Sequence, residues 1–80
     1  DEFYFVELEG VEVRNAEGQV LGHISRVIDY PTVNCLEFSH DGRIWELPML
    51  DRYLQGVDIE AGFVVIANLD ELEATSRPGD

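Results

Sequence analysis

The side chains able to do chemistry are few and scattered along the chain. Ser39-His40-Asp41 has the residue types of a nucleophilic triad, but triad members must converge in space, and neighbours in one strand and turn diverge. His23, His40 and Cys35 are metal-ligand types, yet their spacing matches no structural zinc pattern. Glu7 and Glu9 share a face if their segment is extended, as the paired carboxylates of a general acid and base can. No pocket-forming sequence surrounds them, so a solvated acidic face is the simpler reading. Asp70, Glu71 and Glu73 lack the alternating oxygen ligands and central Gly of a calcium loop. The glycines stand singly at turns, which excludes a Gly-rich phosphate cradle. No catalytic residue, metal site or cofactor is expected.

Binding chemistry is better represented. Phe3-Tyr4-Phe5 places three aromatic residues in succession, and successive strand residues face opposite ways, so they cannot all enter one core. An accessible Tyr4 beside Glu2 and Glu7 suits the anchor of a basic partner, because aromatic side chains are enriched at binding hot spots. The opposing reading packs Phe3 and Phe5 inward and leaves Tyr4 covering the wall. The candidate partner-binding residues are Phe3, Tyr4, Glu7 and Glu9.

Charge narrows the class of partner. Five basic residues against 17 acidic ones give a formal net charge of −12, a field that repels nucleic-acid phosphates and anionic membranes and attracts cations. Neither direct nucleic-acid binding nor membrane association is expected. A hydrophobic share of 45%, with eight aromatic residues among 80, is too apolar for a chain disordered by its charge, so the acids belong on a folded surface. The single cysteine rules out an internal disulfide and fits a reducing cytoplasm. The longest apolar run, Phe63 to Ala67, is far short of the roughly 20 residues a spanning helix needs. Asp1-Glu2 lacks the basic start of a targeting segment, and the abrupt aromatic opening suggests a piece of a longer protein.

Turn signals at short intervals, with apolar or alternating stretches between them, predict an all-β fold of about six strands with a short helical turn. Val11 and Val13 lead to the Asn15-Ala16-Glu17-Gly18 turn, and a long strand runs from Val20 to Tyr30. Val20, Ile24, Ile28 and Tyr30 share one parity with Gly22, whose missing side chain suits a barrel corner. Leu36 and Phe38 point inward, and Asp41-Gly42 predicts a tight hairpin into Arg43–Leu47. Pro48 ends that strand, and the apolar residues of Met49–Leu54, including Leu50, are expected to plug a barrel end. Val57 and Ile59 alternate with Asp58 and Glu60 before the Ala61-Gly62 turn, and Phe63–Ala67 reads as a strand covered on both faces. The domain is expected over 1–74, with a flexible tail over 75–80.

Asp1-Glu2-Phe3-Tyr4 with Leu8 and Gly10, Val13 with Glu17-Gly18 and Leu21-Gly22, Leu47-Pro48, and Val57-Asp58-Ile59-Glu60-Ala61-Gly62 follow one another in a fairly specific order. In these segments the chain resembles the C-terminal domain of the RimM family of bacterial ribosome maturation factors, within the PRC-barrel superfamily. The resemblance implies a small PRC-type β-barrel preceded by a separate β-barrel. It also implies a non-enzymatic role in small-subunit assembly and rRNA processing, through a basic ribosomal protein of the subunit head, the nineteenth of the small-subunit series. The family's tandem aromatic pair, usually two tyrosines and implicated in subunit binding, falls on Phe3 and Tyr4. Tyr30-Pro31-Thr32-Val33-Asn34-Cys35 departs from the family's Gly-Ala-Asn-Asp-like loop. The competing reading is another PRC-type or Src-homology-type adaptor barrel, binding a protein through a different face.

Overall fold

The computed structural model describes residues 8–72; Phe3, Tyr4, Phe5, Glu7 and the expected tail lie outside the described residues. Six strands, β1 (Glu12–Arg14), β2 (Val20–Asp29), β3 (Asn34–His40), β4 (Arg43–Pro48), β5 (Leu54–Asp58) and β6 (Phe63–Ile66), are followed by a 3₁₀ turn at Leu69–Glu71. They form one sheet in the order β4-β3-β2-β1-β6-β5, curled into a half-barrel. Every neighbouring pair is antiparallel except β1 and β6. The all-β fold of about six strands with a short helical turn is therefore as expected.

The hairpins form where turn chemistry asks for them. The Asn15 carboxamide oxygen accepts from the backbone N–H of Glu17 and of Gln19, closing the β1–β2 turn from within. Asp41 and Gly42 both have left-handed backbones, with φ of 57° and 76°, the pair a two-residue hairpin of matching twist requires. Inside the curl, Leu8, Val13, Ile24, Leu36, Phe38, Leu47, Val64 and Ile66 form the core. Burying a side chain of this kind stabilises by roughly 1.5–3 kcal/mol. Leu36 and Phe38 point inward as predicted.

Bulges explain where the sequence expectations fail. One residue of β2 is extra against β1, at Leu21, and another against β3, at Ser25. Each inserted residue exchanges the two faces of the strand. The single parity expected for Val20, Gly22, Ile24, Ile28 and Tyr30 does not hold: Ile24 is in the core, and Leu21 and Val27, of the other parity, pack against it. Val20 and Tyr30 are exposed by 51% and 38%. At the second bulge the Ser25 hydroxyl donates to the Glu37 carbonyl. β5 begins at Leu54 and ends at Asp58, earlier than the alternation of Val57 and Ile59 suggested, and Ile59–Gly62 forms the turn. β6 is not covered equally on its two faces: Val64 and Ile66 are buried, while Phe63 and Val65 lie half-buried on the outside, with the Arg14 guanidinium 4.1 Å from the Phe63 ring centre.

The connection from Met49 to Tyr53 contains the expected single turn, closed by Tyr53 N–H and Leu54 N–H donating to the Leu50 carbonyl. Met49, Tyr53 and Leu54 do cover the end of the core, but Leu50 is half exposed and plugs nothing. This segment is tied to the 3₁₀ turn by Asn68 Nδ2 donating to the Arg52 carbonyl and by a two-pronged Arg52–Glu71 pair, with Nε to Oε1 at 2.7 Å.

The tightest point of the sheet is the place where β2 changes partners. Gly22 and His23 pair with β1, whereas Ile24 to Asp29 pair with β3. A Cβ on Gly22 would stand 2.2 Å from the Ser39 carbonyl oxygen. Only glycine permits that approach, and His40 Nδ1 meets the Leu21 carbonyl at 3.0 Å beside it.

Gly22→Ala should destabilise the domain by about 3 kcal/mol in urea unfolding, the upper end for overpacking, because the opposing atom is backbone. Gly56→Ala, where nothing lies within 4 Å of the added methyl, should change stability little; equal losses at the two sites would refute the crossing constraint. The hydrogen bond from Arg52 holds the Glu71 carboxyl below its ordinary range. With the folded value depressed, the pair's stabilisation is complete at neutral pH and is lost as pH falls through and below that range. Carboxyl-carbon NMR should show the Glu71 midpoint rising in Arg52→Gln; an unmoved midpoint would remove the pair as its cause.

Candidate protein-binding surface

The residues that could suggest catalysis are held apart by the fold. Ser39 and His40 end β3, and Asp41 starts the hairpin turn. His40 Nδ1 faces the Leu21 carbonyl, and since a carbonyl only accepts, that nitrogen carries the proton. The His40 carbonyl in turn accepts from Trp45 Nε1 at 3.1 Å, so His40 is part of the sheet's internal bonding. Cys35 is buried, and desolvation pushes its thiol up, with the Glu46 carboxylate adding to the effect. It is held as the neutral thiol, a poor nucleophile and a poor metal ligand. His23 is exposed on β2. Among the described residues no three His, Cys, Asp or Glu side chains are grouped so as to hold a metal ion.

The surface is dominated by carboxylates. The chain has five arginines and no lysine. Three of the four described arginines are in ion pairs: Arg14 with Glu12 at 2.7 Å, Arg26 with Glu37 at 3.3 Å, and Arg52 with Glu71. Positive charge is thereby neutralised close to where it arises. Glu9, Glu17, Asp29, Asp41, Asp51, Asp58, Glu60 and Asp70 are exposed. Pairs this accessible are individually weak, so their main effect is on the field an approaching molecule meets.

Of the four candidate partner-binding residues, Phe3, Tyr4 and Glu7 lie outside the described residues. Glu9 is exposed immediately after Leu8, which is completely buried. Its backbone lies in the short turn whose Gly10 N–H donates to the Ile24 carbonyl at 2.7 Å. The structure therefore places one of the four, in solvent and anchored to the sheet.

Sequence reasoning missed the outer face of β2, β3 and β4. Ile28, Cys35 and Pro48 stand opposite one another across the three strands, and so do Arg26, Glu37 and Glu46. Tyr30 projects over this face and donates its hydroxyl to Glu46 Oε1 at 2.5 Å. That hydrogen bond is the main reason the Tyr30 phenol titrates above its usual range. The adjacent polar residues Ser25-Arg26 interrupt the alternation of β2 and are the one sequence signal that could have revealed the change of face.

Comparison with known proteins agrees with this architecture. The sequence profile of the RimM PRC barrel domain matches residues 5–72. The ribosome maturation factor RimM of Agrobacterium fabrum is 39% identical over 67 residues, covering 82% of this chain and 36% of the relative. That of Sorangium cellulosum is 33% identical over 72 residues, covering 89% and 42%. The chain thus spans well under half the length of these relatives. A RimM crystal structure from Pseudomonas aeruginosa superposes with a TM-score of 0.75 over 85% of this chain and 45% of that one, at 24% identity, and shares the fold. On the profile match and these relatives, the chain belongs to the RimM PRC-barrel domain family.

Proposed function

We propose that this chain is the protein-binding domain of a ribosome maturation factor that acts in the cytoplasm on small-subunit assembly and rRNA processing. It works by binding a basic ribosomal protein of the subunit head, the nineteenth of the small-subunit series, and performs no reaction. The observation that carries this reading is a folded acidic body whose arginines are largely paired on its own surface, leaving an array of unneutralised carboxylates. Such a surface accelerates encounter with a cationic protein and rejects phosphate backbones. The names of its relatives supply the assembly context. Phe3 and Tyr4 remain the proposed aromatic contact, with Glu7 and Glu9 beside them.

Binding of the purified head protein to the full chain should weaken strongly with salt, since the screening length falls from about 10 Å at 0.1 M to about 3 Å at 1 M. Stopped-flow association at rising salt should show at least a tenfold loss in rate; a salt-independent rate would refute the electrostatic mechanism. Replacing Phe3 and Tyr4 together by Ala should weaken affinity at least tenfold by calorimetry. Undiminished affinity in that variant would take these two residues out of the interface.

A further inference from the structure

Three features coincide at the end of the sheet at the β2–β3 turn. It exposes apolar side chains, holds them on fixed backbone and rims them with acids. Tyr30 and Leu50 are exposed by 38% and 50%. Register places both at this end of the sheet: Asn34 pairs with Asp29, Cys35 pairs with Pro48, and Met49 N–H donates to the Asn34 carbonyl at 2.9 Å. Leu50 therefore follows β4 directly beside the turn that contains Tyr30 and Pro31.

Neither side chain is exposed because its segment is loose. Leu50 N–H donates to the Pro48 carbonyl, and the Leu50 carbonyl accepts from Tyr53 and Leu54 at 2.9 and 2.8 Å. The Tyr30 ring is pinned through its hydroxyl to Glu46. Apolar groups presented in fixed positions lose little freedom on binding, which is how an anchoring surface gains affinity. The acids nearby are Asp29, Glu46 and Asp51, while the neighbouring arginines, Arg26 and Arg52, are held by Glu37 and Glu71.

We infer that this end of the β2-β3-β4 sheet is a docking surface for a basic protein segment, whose apolar side chain covers Tyr30 and Leu50 while flanking Lys or Arg residues meet Asp29, Glu46 and Asp51. The inference rests on the proposed binding of a basic ribosomal protein and names a second face for it, apart from Phe3 and Tyr4. Charge complementarity selects the occupant: a neutral apolar partner would leave the acidic rim desolvated without counter-charges.

The test is titration of the ¹⁵N-labelled full chain with the purified head protein at low salt, followed by NMR and calorimetry. Amide shifts are expected to cluster at residues 29–34 and 49–51. Leu50→Ser and Tyr30→Ala should each weaken binding at least tenfold. Val20→Thr is the control, because Val20 is equally exposed at the opposite end of β2, and it should bind like the wild type. Wild-type binding with shifts confined to other faces, or undiminished binding by Leu50→Ser and Tyr30→Ala, overturns this surface and leaves the functional reading standing. No binding by the wild type at low salt overturns both.

Discussion

The fold depends on a close approach between two backbones. β2 must leave β1 and take up β3 within a single strand, and it does so at Gly22, where the Ser39 carbonyl oxygen occupies the space a methyl group would need. Because the strand is continuous through this point, both halves of the sheet inherit their relative angle from it. The bulges at Leu21 and Ser25 flank the crossing and supply the local twist, while His40 bridges it by a hydrogen bond to the Leu21 carbonyl and Trp45 in turn donates to the His40 carbonyl. The core side chains fill the concavity that results.

The same bulges decide what the outside carries. Had β2 kept one parity throughout, Ile28 and Tyr30 would lie in the core with Ile24 and Gly22. The extra residue at Ser25 sends them outward and brings in Val27. Sequence that appears core-forming is thereby spent on an outer face, where it sits among carboxylates. Charge and apolar surface are thus combined by a backbone irregularity, on a domain whose arginines are mostly engaged with its own acids.

What could be read from the sequence followed from local rules. Asp41-Gly42 dictates its hairpin, Asn15 and Gly18 dictate theirs, and the strict alternation around Leu36 and Phe38 fixes which face of β3 is buried. Gly22 reads as a corner because a missing side chain within a long strand suits a bend or a close backbone approach. The exposure of Leu50 could not be read, since it depends on hydrogen bonds at both its N–H and its carbonyl that hold the connection in one tight turn. The start of β5 was hidden for a related reason: Leu54 and Gly56 pair with β6 across a bulge at Gln55 that no local pattern announces. For the candidate site, overall acidity was legible from composition, whereas its distribution required knowing which arginines find partners.

The parallel pairing of β1 with β6 joins strands that lie far apart in the chain. β1 has three residues, and its neighbour on one side, beginning with Phe63 opposite Glu12, is among the last parts of the domain to be made. The meander of β2, β3 and β4 joins elements adjacent in the chain and is closed by short turns, so it can form early. Val13 and Leu8 gain their full cover only when Val64 and Ile66 arrive. Closing the half-barrel therefore rests on the sheet's most distant pairing in sequence, Glu12 opposite Phe63, a contact that carries the largest loop-closure cost of the fold.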